Sequence, residues 1–227
     1  MTGVAMDTSG LPVFLHDGAF YQLATLDDLA EAGLRVRPVH VRDLVLGEDT
    51  LEGADRLFVA DRLHPGLWTR AAESCVDVAR RGGTVFVSGE NALDAVPGVE
   101  LTRTGTNFWW WRTGEDPGID VLETGEELQR HLVPRAQRWH FHGVMEVPDH
   151  TEVLAHHRET GPEWPAGALL AVDRASTAGV IAVTTMDPVY HHGSRFMPGA
   201  SLLLHGVMRW LCGAEPRPGE KLAHGSR

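Results

Sequence analysis

Histidine pairs are the feature of this sequence that most directly suggests chemistry. The chain contains 13 histidines, and two of them, His140 and His142, are separated by a single residue. On a β-strand this spacing points both imidazoles to one face and Phe141 to the other. Two imidazoles on one face can bind one divalent metal ion, such as zinc or iron. The remaining ligands would come from a carboxylate and from a later histidine pair: Glu146 or Asp187, and His191 or His192.

A second polar segment follows a predicted strand late in the chain. Residues 187–194 read Asp-Pro-Val-Tyr-His-His-Gly-Ser. A carboxylate beside a histidine can orient the imidazole or raise its pKa, which is what a general base requires. Asp187 and His191 are therefore candidate catalytic residues. Glu90 is a third, because it lies on the turn after another predicted strand and can act as an acid, a base or a ligand anchor.

A plainer interpretation stays open for both segments. The imidazoles of His140 and His142 would then hydrogen-bond carbonyl groups and line a polar crevice, so that no cofactor is bound. Asp187 and Pro188 would only open a turn, and the histidines after them would be solvated.

A small polar ligand such as a sugar could also be bound near these residues. Residues 108–111 read Phe-Trp-Trp-Trp, and an exposed tryptophan pair can stack on a sugar or pack against a partner protomer. A lid or edge strand folded onto its own domain is the alternative. The candidate ligand-binding residues are Asp17, Asn91, His140, His142, His192 and Trp111.

Alternating strands and helices are predicted to position these side chains. Such alternation is typical of a parallel sheet with helices on both faces, so that Asp17, Asp61 and residues 88–91 should meet at one edge. The predicted strands are at 11–15, 35–41, 56–60 and 84–87, and the predicted helices are at 68–81, at 199–212 and after the capping-box spacing at 25–28.

The middle of the chain departs from this alternation. Residues from about 99 to 160 are predicted to form a β-rich insertion that contains a strand at 152–155 and a short helix after a capping box at 124–127. Two further strands, at 168–172 and 179–185, are predicted to pair around a turn. The chain should therefore be a single domain over 1–213, followed by a polar tail at 214–227.

Composition excludes several function classes. The formal net charge of −11 opposes binding to nucleic acid phosphates or anionic lipids. The single lysine, Lys221, lies in the tail, so we expect neither a Schiff-base lysine nor a phosphate-loop lysine. Two cysteines without a disulfide pattern, and no apolar span long enough for a membrane, favour a cytoplasmic protein.

Three segments together resemble the class I glutamine amidotransferase-like superfamily. They are Gly82-Gly-Thr-Val-Phe-Val-Ser-Gly-Glu90, the strand from Gly179 to Pro188, and the closing helix from Ala200 to Gly213. The similarity is greatest to branches without amidotransferase activity, such as trehalose-utilisation-type proteins and β-galactosidase trimerisation domains. The resemblance implies an α/β fold, a flavodoxin-like three-layer sandwich with a mainly parallel sheet, and a pocket at the carboxyl ends of its strands.

The residues that hydrolyse glutamine in that superfamily are not found at the matching positions of this sequence. Its nucleophilic cysteine would lie on the turn at 88–91, which reads Ser-Gly-Glu-Asn, and its catalytic histidine would follow the strand at 179–185, where the chain reads Met-Asp-Pro-Val. Cys75 has the helical spacing of a buried residue. Glutamine hydrolysis is therefore not expected.

Two functions follow from these observations. The first is a binding or assembly module for a small polar ligand such as a sugar, in which the amidotransferase triad is lost. The second is a hydrolase or related enzyme that uses the histidine and carboxylate residues, with or without a divalent metal. In both cases the partner is a small molecule, and a homo-oligomer is an expected assembly.

Overall fold

A computed structural model of the protein describes residues 10–105 and 110–216, with the side chains of residues 111 and 112 excepted. Phe108, Trp109 and residues 217–227 of the predicted tail lie outside these residues. The strands are β1 (Val13–His16), β2 (Arg37–His40), β3 (Arg56–Val59), β4 (Thr84–Val87), β5 (Glu100–Arg103), β6 (Ile119–Val121), β7 (Gly143–Glu146), β8 (Glu152–His157), β9 (Gly167–Asp173) and β10 (Val180–Thr184).

Seven α-helices and two short 3-10 helices accompany the strands in the described part of the chain. The 3-10 helices span Leu93–Ala95 and Leu128–His131. The α-helices are α1 (Phe20–Glu31), α2 (Val41–Leu46), α3 (Pro65–Arg80), α4 (Trp110–Thr113), α5 (Pro134–Gln137), α6 (Pro188–Gly193) and α7 (Pro198–Leu211).

The central strands are buried because their sequences are continuously apolar. Phe14 on β1, Phe58 on β3 and Phe86 on β4 stack across three neighbouring strands, with ring centroids 5.0 Å and 5.4 Å apart. All three rings are fully buried. An uninterrupted apolar run is what a strand covered on both faces requires, and the predicted strands at 56–60 and 84–87 are confirmed.

Half of the sheet is parallel, with strand order β2-β1-β3-β4-β10. This is the order of a flavodoxin-like sheet, and the predicted parallel pairing is confirmed. The carboxyl ends of β1, β3, β4 and β10 therefore lie at one edge. Asp17, Asp61, residues 88–91 and Asp187 follow these four strand ends.

The other half of the sheet is antiparallel. β9 pairs with β10 and continues the sheet to β7 and β5, while β8 and β6 join through β9. The pairing predicted for 168–172 and 179–185 is confirmed as β9 and β10. The β-rich segment predicted at about 99–160 contains β5 to β8, and β9 extends the antiparallel part to Asp173.

Helices form the outer layers of the sandwich. α1, α6 and α7 pack together, and α2 packs with α3. The residues described in the structure include no helix that is long and apolar enough to cross a membrane.

Several local predictions were wrong. α1 begins at Phe20, so Thr25 is a buried residue inside the helix and not its cap. After the second predicted capping box only a 3-10 helix forms, at Leu128–His131. Trp110 and Trp111 belong to α4, so strand alternation does not apply to them.

Candidate active site

Three imidazoles surround one carboxylate oxygen at the carboxyl edge of the sheet. The Nε2 atoms of His191, His142 and His140 lie 3.1, 3.2 and 3.4 Å from Oδ1 of Asp187. The predicted convergence of these residues is therefore confirmed. Their chemical roles stay a prediction.

His140 and His142 lie on the loop between α5 and β7, not on a strand as predicted. His140 and His142 nevertheless face Asp187 together, while Phe141 packs against Trp164, with ring centroids 6.0 Å apart. The backbone N–H of His142 donates to the carbonyl of Thr185, which anchors the loop to the end of β10. This backbone hydrogen bond at the end of β10 thus holds the loop in place, which pairing within a sheet was expected to do.

His191 is brought to Asp187 by α6, a helix that the sequence did not predict. Asp187 is the N-cap of α6 but does not cap it with its own side chain. The carboxylate of Asp61 accepts the backbone N–H groups of Val189 and Tyr190 instead. The N-terminus of α6 is thus capped from the end of β3, and Asp187 is left to face the imidazoles.

Arg62 fixes the other oxygen of Asp187. Its Nε and Nη2 atoms donate to Asp187 Oδ2 at 3.0 and 2.8 Å, and its guanidinium lies 4.0 Å from the ring centre of Tyr190. Arg62 adopts a left-handed backbone conformation with φ of 57°, which is uncommon outside glycine. Sequence reasoning missed Arg62, and the only signal was its position directly after Asp61.

Glu90 stands on the turn after β4, at residues 88–91. It also has a left-handed φ, of 60°, and strain of this kind is often found at functional sites. Its Oε1 lies 3.0 Å from His142 Nδ1 and 3.5 Å from Arg103 Nη1. The preceding residue must be glycine, because a Cβ on Gly89 would meet the backbone of Thr185 at 2.4 Å.

Burial and neighbouring charges shift the ionisation of this cluster. Burial alone would raise the pKa of Asp187, but the close approach of the three imidazoles to its carboxylate holds that pKa well below its usual value. Burial lowers the pKa of His140, although Asp187 partly opposes this effect. Burial and the charge of Asp187 raise the pKa of Asp61. Asp187 is therefore an ionised carboxylate at neutral pH, and His140 is a neutral imidazole.

The remaining candidates at the same sheet edge have structural partners. The amide of the buried Asn91 accepts from the backbone of Leu63 and donates to the carbonyls of Ala60 and Ser88. These are backbone contacts of a residue that holds the turn. Asp17 accepts the backbone N–H of His64 at the start of α3.

Other candidates lie away from the cluster. His192 points toward α1 and α7, where its Nδ1 lies 2.9 Å from Ser201 Oγ and its Nε2 lies 3.3 Å from Asp28 Oδ2. Glu146 is exposed at the far end of β7, four residues after His142, which is about 13 Å along an extended chain. The side chain of Trp111 is outside the described residues.

The geometry of the cluster fits a divalent metal ion. The four candidate ligand atoms of His140, His142, His191 and Asp187 lie within 4.8 Å of one another. Around a tetrahedral zinc ion with Zn–N distances of about 2.0–2.1 Å, neighbouring ligand atoms are about 3.3 Å apart. The three contacts to Asp187 Oδ1 have this length.

The site reaches the surface through His142, Glu90 and Arg62. Asp187 is fully buried, and the side chains of His142, Glu90 and Arg62 are 14%, 22% and 32% exposed. A small molecule can therefore approach from the side of Glu90 and His142. Cys75, in contrast, is buried within α3, and burial raises the pKa of its thiol to about 12.

Similarity to known proteins is found at the level of structure. No family model matches the chain, and no curated protein matches it in sequence. A β-galactosidase from Bacillus circulans sp. alkalophilus is 14% identical with a TM-score of 0.52, over 92% of this chain and 32% of that enzyme. The cytoplasmic protein STM1381 from Salmonella typhimurium LT2 is 13% identical with a TM-score of 0.54, over 88% and 98%.

A third similar structure is that of another small protein. A GMP synthase-like protein from Thermoplasma acidophilum is 13% identical with a TM-score of 0.53, over 89% of this chain and 94% of that protein. The chain thus spans about a third of the β-galactosidase and nearly the whole of the two smaller proteins. Together with the flavodoxin-like strand order, these similarities show that the chain shares an α/β fold with these three proteins, as the resemblance implied.

Proposed function

We propose that this chain is a metal-dependent hydrolase that acts on a small polar substrate. His140, His142, His191 and Asp187 would bind zinc or iron at the carboxyl edge of the sheet. Zinc suits hydrolysis because it polarises its ligands without redox chemistry.

One observation carries the proposal: two proton acceptors face each other in the buried cluster. His142 Nδ1 lies at hydrogen-bonding distance from the Glu90 carboxylate, which requires a proton on Nδ1; in the tautomer that carries this proton alone, Nε2 has a lone pair. That Nε2 lies 3.2 Å from Asp187 Oδ1, and neither atom has a hydrogen bond of acceptable geometry to any described residue. A cation between the two atoms removes this repulsion.

The surroundings of the cluster are those of a metal site. Metal-bound histidines usually donate their second ring N–H to a carboxylate, as His142 does toward Glu90. Arg62 holds Asp187 through Oδ2 and leaves Oδ1 as the single ligand oxygen. The ligands are thus oriented by groups that do not themselves bind the ion.

A zinc ion held by His140, His142, His191 and Asp187 would lower the pKa of water to about 7 and so supply a nucleophile at neutral pH. Glu90 would accept the proton of the attacking water as the water oxygen forms its bond to the electrophilic carbon or phosphorus of the substrate. Glu90 would then give that proton to the leaving group as the bond to the leaving group breaks. Glu90 is suited to this role because it lies on the accessible side of the cluster.

The second candidate is a binding or assembly module without chemistry, with a sugar as its ligand. The observation that favours it is the similarity to about a third of a β-galactosidase. A homo-oligomer and a cytoplasmic location stay predictions for either function.

Elemental analysis of untagged protein separates the two candidates. The hydrolase requires stoichiometric zinc or iron, retained on dialysis and lost in His191→Ala. His150→Ala is the matched control, because His150 is an exposed histidine that contacts Ser176 and Asp173 instead of the cluster. Protein that stays metal-free after incubation with Zn²⁺ or Fe²⁺ contradicts the hydrolase and favours the binding module.

A further inference from the structure

Two arginines stand on the accessible side of the candidate metal site. Arg62 and Arg103 are 32% and 54% exposed, and both contact carboxylates of the cluster. Arg103 ends strand β5, which pairs with β7 directly beside His142, and the backbone N–H of Thr104 donates to the His142 carbonyl. The fold therefore places the Arg103 side chain at the entrance to the site.

Arg103 is held only loosely by its present partners. Its Nη1 lies 3.5 Å from Glu90 Oε1, and its Nη2 lies 3.5 Å from the carbonyl oxygen of Asn91. Hydrogen bonds between a guanidinium and a carboxylate are normally about 2.7–2.9 Å long. The guanidinium of Arg103 can therefore accept a further anionic partner. Arg62 differs, because two of its nitrogens are fixed on Asp187.

The charges of the site also favour an anion. Asp187 and Glu90 are matched by the two guanidinium groups, and imidazoles that bind a metal ion do so as neutral groups, so they add no charge. A divalent ion then makes the site net positive, even with Asp61 counted as ionised. Fixed positive charge in a partly buried site attracts oxyanions and disfavours cations.

We infer that the substrate of this site carries a small oxyanion, a carboxylate or a phosphate, and that Arg103 binds it. The inference rests on the proposed function, since it concerns the same metal site. The planar guanidinium fork matches the two oxygens of a carboxylate or phosphate, which a lysine would not do equally well. Arg103 is thus a specificity-determining residue at the entrance.

Cobalt-loaded full-length protein provides the test, because the visible absorption of Co²⁺ changes when its surroundings change. The probes are acetate, inorganic phosphate and acetamide, which has the shape of acetate without its charge. We expect acetate or phosphate to change the spectrum saturably and acetamide to have no effect. The probe that binds more tightly identifies the kind of oxyanion.

Variants locate the binding group. Arg103→Gln should weaken binding of the oxyanion by about tenfold to a hundredfold, the value of a hydrogen bond to a charged group, while Co²⁺ affinity is retained. Arg80→Gln is the control, because Arg80 lies on α3 and pairs with Glu73 and Asp77. Equal binding of acetate and acetamide, or unchanged binding in Arg103→Gln, overturns the inference alone. Failure of the wild-type chain to bind Co²⁺ overturns the proposed function, and the inference with it.

Discussion

Arg62 and Asp187 form a two-point contact in which both guanidinium nitrogens meet the same carboxylate oxygen, Oδ2. The two oxygens of the Asp187 carboxylate therefore have different partners. Oδ2 accepts from Arg62, and Oδ1 faces the three imidazoles. A side chain just beyond the end of β3 thereby decides how Asp187 can bind a metal.

Replacing Arg62 should weaken metal binding without removing a ligand. In Arg62→Gln the Oδ2 atom loses two charge-assisted hydrogen bonds, and each such bond is worth about 1.5–3 kcal/mol when buried and less when partly exposed, as here. We expect Zn²⁺ affinity to fall about tenfold or more, measured by competition with a chelating dye. Arg62→Lys should recover only part of the loss, because one ammonium cannot reproduce the fork. Unchanged affinity in both variants contradicts this role.

We expect Asp61 to contribute to stability by capping α6 and not to metal binding. Asn in its place offers one neutral acceptor oxygen where the carboxylate offers two, so that Val189 and Tyr190 would have to share it, and Tyr190 would keep only the longer 3.4 Å contact that it makes to Oδ2. Asp61→Asn should lower the free energy of unfolding by about 1–3 kcal/mol, measured by urea denaturation. Asp94→Asn serves as the control, because Asp94 accepts a single exposed N–H, from Leu101. A stability loss equal in the two variants would show that the cap of α6 is unimportant.

The fold was more predictable than the helix that completes the site. Continuous apolar runs predict β3 and β4 correctly, because a strand that is buried on both faces needs apolar residues at every position. The helix α6 was not predicted because its N-terminus is capped by Asp61, which lies 126 residues before Asp187. A pattern within the local sequence cannot indicate a contact over that separation. The convergence of His140 and His142 was inferred from strand spacing, yet it arises on a loop, which the backbone hydrogen bond from His142 to Thr185 holds at the end of β10.

The free energy of unfolding should rise with pH between about pH 5 and 7 in metal-free protein. Burial lowers the pKa of five histidines below the usual value of about 6.5, namely His16, His131, His140, His156 and His192. Below that value the unfolded chain binds protons that the folded chain does not, so stability is lost as the pH falls.

Asp61 acts in the opposite direction, because its pKa is raised in the folded protein and it favours folding at low pH. The five histidines outnumber this one aspartate, so we expect them to determine the sign of the pH dependence of stability. Urea denaturation in the presence of EDTA at about pH 5, 6 and 7 measures the effect. A flat or inverted profile would show that these imidazoles are protonated in the folded protein.

Thiol chemistry should play no part in the function. Cys75 is buried in α3, and Cys212 follows the end of α7, so neither lies on the turn that carries Glu90. The double variant Cys75→Ala, Cys212→Ala should retain its metal content and any hydrolytic activity. Its stability should fall by about 1–2 kcal/mol, because a small cavity replaces the buried sulfur of Cys75. A folded double variant without metal or activity would place the active site elsewhere.

Two substitutions of Glu90 should distinguish its role as a base from the role of the metal ligands. Glu90→Gln keeps an oxygen that can accept from His142 Nδ1, so the imidazole stays oriented and Zn²⁺ affinity should change by less than about threefold, although outer partners of metal ligands can contribute more when lost. The amide cannot take a proton from water. Hydrolysis of p-nitrophenyl acetate or p-nitrophenyl phosphate should therefore fall by about a hundredfold or more.

Glu90→Ala removes the oxygen as well as the base, so it should lower both the rate and the Zn²⁺ affinity, the latter by about tenfold or more. The contrast between the two variants is the decisive measurement, because both place a side chain on the same left-handed backbone position. If Glu90→Gln retains full activity, Glu90 only orients His142 and the base must be another group. If the two variants lose metal equally, the contact between Glu90 and His142 Nδ1 does not orient the ligand, and the argument for a cation between His142 and Asp187 loses its main support.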